Sequence, residues 1–87
     1  MEIVYTEQAR ADIAFWKKSG NIQIQKKITQ LLDAIEDSPA DGIGKPEMLK
    51  HQLSGFWSRR INQEHRLVYQ YSEEDELIII HSLKGHY

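Results

Sequence analysis

The 87-residue sequence predicts an α+β fold in which an N-terminal strand and a two-helix hairpin pack on a mostly antiparallel, twisted sheet, in the order β-α-α-β-β-β-β. Three observations lead there. Apolar residues recur at helical spacing through the first third of the chain, a Gly- and Pro-rich segment follows, and beyond it short β-prone runs alternate with turn signals. A chain of this length buries only roughly 60 to 65% of its unfolded surface and has no material for a second core, so one domain spanning residues 1–87 is expected.

Ile3, Val4 and Tyr5 form a β-prone run from Glu2 to Tyr5, which ends where Thr6 can cap a helix. Ala9, Ile13 and Trp16 then give the apolar stripe of a helix from about 7 to 18, broken by Ser19, Gly20 and Asn21. A second helix is expected from about 22 to 37, because Ile24, Ile28, Leu31, Leu32 and Ile35 fall at i, i+4, i+7, i+8 and i+11. Pro39 stops it. The short break between the helices implies an antiparallel hairpin with both stripes on one surface. The segment PADGIGKP, from Pro39 to Pro46, holds four Gly or Pro in eight residues and reads as a loop. After it, LKHQL, WSRRI, LVYQY and LIIIHSL read as four strands, separated by Ser54-Gly55, Asn62 to His65, and Ser72 to Glu76. Helices on one face of such a meander leave the other face for function.

Cysteine is absent, which removes disulfides, thiolate ligation and thiol catalysis. The N-terminus lacks a basic segment followed by an apolar run, and no stretch approaches the roughly 18 apolar residues of a membrane span. A soluble, cytoplasmic protein without a membrane partner is therefore expected. Net charge is -2, but its distribution is uneven: residues 45 to 71 carry five basic groups against two acidic, whereas residues 72 to 87 carry one against four.

Several familiar motifs are excluded. GIGK is not a phosphate-binding P-loop, because Pro39 and Pro46 stand where that loop needs Gly and Ser or Thr. His51, His65, His81 and His86 form no close-spaced metal pair, and Ser54 lies in S-G-F, not in a nucleophile elbow. What remains is a carboxylate, several cations and an imidazole. If the substrate is RNA, its 2′-hydroxyl can attack the neighbouring phosphate provided a base takes its proton, cations stabilise the phosphorane, and an acid protonates the departing 5′-oxygen. Glu47 is the candidate base, Arg60 and Arg66 suit phosphate, and His86 is the candidate acid, with the Tyr87 terminal carboxylate beside it. No metal or other cofactor is required by that chemistry. Arg59 and Arg60 are adjacent in an expected strand and must point to opposite faces, so at most one belongs to the site, and alternation does not say which. Trp57 is read as core, with base stacking as the minority role.

The run G-K-P-E-x-L-K-H-x-L-S-G-F-W-S-R-R-I-x-x-E-H-R-L-V-Y from Gly44 to Tyr69, with the terminal pair His86-Tyr87, resembles the YoeB/Txe toxins of bacterial type II toxin–antitoxin modules, within the RelE-like superfamily. The likeness covers the full length. It implies a RelE-like fold and a metal-independent mRNA interferase that acts mainly in the ribosomal A site, inhibits translation, and leaves a 2′,3′-cyclic phosphate and a 5′-hydroxyl. Carried over by position, it implies Glu47 as base, Lys50, Arg60 and Arg66 as cationic stabilisers, His86 as general acid and Tyr87 as the base-contacting aromatic. It further implies a YefM/Axe-like antitoxin that blocks or remodels the site, and operator DNA bound only through the antitoxin complex. A homodimer remains open. Two other readings compete: a gyrase inhibitor of the ParE kind on the same scaffold, and a non-catalytic module that binds RNA or antitoxin. Gly85 is expected to loosen the tail next to His86, with antitoxin or ribosome binding ordering it.

Overall fold

The structure, a computed structural model, describes residues 1–85. The strands are β1 (Glu2–Tyr5), β2 (Glu47–Met48), β3 (Trp57–Arg60), β4 (Arg66–Ser72) and β5 (Leu77–Ser82), and the helices are α1 (Glu7–Ser19) and α2 (Ile22–Asp37). The element order is the one expected. The five strands form one sheet in the order β1-β5-β4-β3-β2, in which β1 runs parallel to β5 and every other pairing is antiparallel.

Local chemistry sets the helix limits. Thr6 Oγ1 accepts the Ala9 N–H at the start of α1 and donates to the His81 carbonyl of β5, so the cap also ties the helix to the sheet. Gly20 ends α1 at φ 72, a left-handed conformation that glycine adopts without penalty. Asn21 caps α2 through the Ile24 N–H. The apolar stripes then meet the sheet: Ala9, Trp16, Ile24, Ile28, Leu31 and Ile35 share one core with Leu67, Tyr69, Ile78 and Ile80.

One expected strand is corrected. LKHQL does not form a strand; β2 precedes it and holds only two residues, and His51–Leu53 is a 3₁₀ turn. His51 takes φ 59, and the Leu53 and Ser54 N–H groups turn back to the Lys50 and His51 carbonyls, so local bonds replace the sheet ladder. Only Leu49, donating to the Phe56 carbonyl, continues the pairing.

Arg59 settles which of the two adjacent arginines faces inward. Its side chain is fully buried and lies on the helix-covered face, where Nε donates to the Tyr69 hydroxyl, Nη1 to the Ile43 carbonyl, and Nη2 to the Ser38 and Asp41 carbonyls at 2.6 and 2.7 Å. Burial pushes the Tyr69 phenol above its ordinary value, outweighing the lowering by Arg59. The hydroxyl therefore stays protonated and donates to the Pro39 carbonyl at 2.6 Å. A guanidinium, less strongly hydrated than an ammonium, is the cation suited to such burial. The loop from Ser38 to Gly44 is thereby drawn onto β3, and the Gly44 carbonyl accepts the Arg60 N–H. Gly44 must be glycine here: its φ is 84, and a Cβ would lie 2.7 Å from Leu31 Cδ2.

Replacing Arg59 by Met would strand these oxygens without donors inside the protein. We expect a loss of about 3 kcal/mol or more in urea unfolding. A loss below about 1 kcal/mol would contradict the assignment of Arg59 as the anchor of the loop.

Candidate active site

Strand register places the candidate residues. Residues directly opposite in an antiparallel pair share a face, and side chains alternate along each strand. Arg60 pairs with Arg66, Ser58 with Val68, and Glu47 with Ser58. Glu47, Arg60 and Arg66 therefore all project from the face opposite Arg59 and the helices. Glu47 is a diagonal neighbour of Arg60, a relation that spans about 7 to 8 Å between backbones and suits long side chains. Two like charges directly opposite in a sheet repel each other, so the Arg60–Arg66 pair costs stability unless an anion sits between them.

Glu47 and Arg60 are exposed and Arg66 is half-buried. Arg66 Nη1 donates to the Asn62 carbonyl at 3.1 Å, which holds the guanidinium at the β3–β4 turn. Lys50 follows β2 and lines, with Glu47 and His51, an open cavity of about 470 Å3. Trp57 lies on the other face: it is opposite Tyr69, packs against the core, and its ring centroid is 5.8 Å from that of Tyr71. Its core reading is the one the structure favours.

His86 and Tyr87 lie outside the described residues, but the chain leading to them is held. Gly85 donates its N–H to His65 Nδ1 at 2.8 Å, and its carbonyl accepts the Arg66 N–H at 3.1 Å. Upstream, the Leu83 N–H donates to the buried Asp12 carboxylate and the Leu83 carbonyl accepts the Trp16 indole N–H at 2.8 Å. His65 in turn rests edge-on against Trp16, ring centroids 4.8 Å apart. Gly85 thus does not act as a loose spacer. Its φ of 79 belongs to the left-handed region that glycine favours, and two hydrogen bonds keep it beside Arg66.

Sequence reasoning did not single out His65, Asp12 or His81. Asp12 carried a readable signal, since an acid three residues after Ala9 and four before Trp16 falls on the apolar stripe of α1 and must find partners indoors. His81 sits next to the bulge between β4 and β5, bonded through Nε2 to Gln70 Oε1 at 2.7 Å and with its ring 4.8 Å from that of Phe56. Burial lowers its pKa below the ordinary 6.5.

Comparison with known proteins gives the family. Residues 5–87 match the family model described as YoeB-like toxin of bacterial type II toxin-antitoxin system. The chain belongs to the YoeB toxin family. Toxin YoeB of Synechocystis sp. is 49% identical over 87 residues, covering 100% of this chain and 98% of that protein. Among solved structures, a YoeB/ParE toxin from Agrobacterium tumefaciens superposes with TM-score 0.94 at 36% identity, covering 100% of both chains. The toxin in a YoeB-YefM complex from Staphylococcus aureus gives TM-score 0.86 at 44% identity, and a YoeB dimer from the same organism gives 0.88 at 44%, each covering 100% of this chain and 98% of the other. The chain is thus a type II toxin–antitoxin toxin with the YoeB fold.

Two outcomes are expected from the site's histidines. His65→Phe keeps an aromatic ring against Trp16 and removes the acceptor of Gly85, so the Gly85 amide should exchange about tenfold faster by hydrogen exchange, the loss of roughly one hydrogen bond; unchanged protection would show that the bond does not restrain the tail. His81, whose folded pKa is depressed, binds fewer protons folded than unfolded, so its contribution is complete above pH 6.5 and drains as the pH falls from there towards the folded value. His81→Gln, which keeps a neutral partner for Gln70, should flatten the fall in urea stability between about pH 7.5 and 5.5. An identical slope in both proteins would contradict the assignment.

Proposed function

We propose that this YoeB-family toxin is an endoribonuclease that cleaves messenger RNA, mainly in the ribosomal A site, by attack of the 2′-hydroxyl on the adjacent phosphate. The observation that carries the reading is the directly opposed Arg60 and Arg66 on the uncovered face, with Glu47 on the same face. A phosphate between the two guanidinium groups relieves their repulsion and is polarised by them.

In the reaction, the Glu47 carboxylate takes the proton of the 2′-hydroxyl as its oxygen bonds to phosphorus. Arg60, Arg66 and Lys50 stabilise the extra negative charge of the phosphorane. The bond from phosphorus to the 5′-oxygen then breaks, and that oxygen takes a proton from His86. The products are a 2′,3′-cyclic phosphate and a 5′-hydroxyl. Tyr87 is assigned to contact a base. The roles of His86 and Tyr87 rest on the sequence resemblance, supported by the anchoring of Gly85 beside Arg66. Control by a YefM-like antitoxin, with operator DNA bound only through that complex, follows by analogy with the Staphylococcus aureus YoeB-YefM complex, and a homodimer by analogy with the YoeB dimer.

Glu47→Ala, Arg66→Ala and His86→Ala should each lower cleavage of a translated message by at least about 100-fold while leaving antitoxin binding largely intact. Arg60→Lys should also impair cleavage, because lysine lacks the planar fork. Primer extension with end-group analysis reads the result. Growth arrest without a cyclic-phosphate product would reject the nuclease, and inhibition of gyrase supercoiling would replace it with the ParE-like reading.

A further inference from the structure

Three cations from three different elements line a second open cavity of about 350 Å3, which shares no lining residue with the Glu47 cavity. Lys27 comes from α2, Lys45 from the connecting loop and Arg60 from β3, with Asn62 and Gln63 supplied by the β3–β4 turn. No acid lines it. Among the described residues none of the three cations has a carboxylate within ion-pair distance, the recorded ion pair being His65 with Glu64. We infer that this cavity is a second anion subsite, which holds a backbone phosphate of RNA outside the cleaved linkage.

Three features support a built site. Lys27 is half-buried and has no carboxylate within ion-pair distance among the described residues. Lys45 takes φ 52, an uncommon and costly conformation for a residue with a Cβ. The loop enforces it: Gly44, immediately before Lys45, is pressed against Leu31 and bonded through its carbonyl to the Arg60 N–H at 2.6 Å. Finally, the whole chain carries net charge -2, so the convergence of three cations is a local focus and does not reflect general basicity.

Continuity selects the ligand. Arg60 lines this cavity and is also directly opposite Arg66, so an anionic strand whose phosphate lies between the two arginines runs its neighbouring phosphates past Arg60 toward Lys27 and Lys45. RNA supplies such a ladder of phosphates. This inference rests on the nuclease reading for the choice of RNA, whereas the cation cluster stands independently of it.

The test measures RNA affinity against salt. In a Glu47→Ala background that leaves the RNA intact, a Lys27→Ala/Lys45→Ala variant should bind a 12-nucleotide single-stranded RNA more weakly, with the slope of log affinity against log salt reduced by about 0.7 for the one lost phosphate contact. Lys27→Arg/Lys45→Arg should retain the slope. The same titration against purified ribosomes separates the sources: a reduced slope with the oligonucleotide assigns the phosphate to the message, and a reduced slope with ribosomes alone assigns it to structured RNA. Unchanged slopes in both arms would overturn the inference. So would unchanged RNA binding with weakened binding of a poly-glutamate peptide, which would assign the cavity to an acidic polypeptide. Message cleavage by the wild-type chain is scored alongside: its absence with a reduced slope defeats the nuclease and spares the subsite, and its presence with unchanged slopes does the reverse.

Discussion

The site depends on one buried cation. Arg59 reaches from β3 into the helix-covered layer and gathers the Ser38, Asp41 and Ile43 carbonyls, while Tyr69 holds the Pro39 carbonyl. Without that anchor the connecting loop would have few apolar groups with which to fold down, since its residues are mostly small or polar. With it, Gly44 closes on Arg60 and the chain enters β2 at a fixed register that puts Glu47 opposite Ser58. The same strand thus uses its two faces differently: Arg59 fixes the loop inside, and Arg60 is exposed on the other face.

A second clasp acts at the other end of the chain. Asp12 and Trp16 of α1 hold both polar groups of Leu83, and His65 and Arg66 hold both polar groups of Gly85. Four residues, two from α1 and two where β4 begins, therefore determine where the backbone arrives beside Arg66. Placing a reactive group at a chain end would ordinarily invite fraying. Here the preceding segment is restrained by buried hydrogen bonds, so the entropy of ordering it is met by the fold before any substrate binds.

Much of this was legible in the residues. The α2 stripe, with the break at residues 19–21 before it and Pro39 after it, gave both helix ends, and the turn signals separated β3, β4 and β5, because period and turn chemistry are local properties. LKHQL failed as a strand because β propensity does not register a two-residue edge pairing followed by a left-handed His51. The choice between Arg59 and Arg60 was out of reach for a related reason. Alternation gives opposite faces, and only the position of the helices says which is inside. The carboxylate and the cations were proposed from chemistry and family likeness, whereas the places of His65, Lys27 and Lys45 are set by neighbours distant in sequence, which no local pattern reveals.

The most direct test of the central claim, that Glu47, the arginine pair and the chain terminus converge on one phosphate, is a structure of this toxin on a ribosome whose message carries a 2′-O-methyl group at the cleavage position. The account places the scissile phosphate between Arg60 and Arg66, Glu47 against the methylated oxygen, and the His86 ring within about 3 Å of the 5′-oxygen. A phosphate bound away from the arginine pair, or a His86 ring on the far side of the molecule, would contradict it.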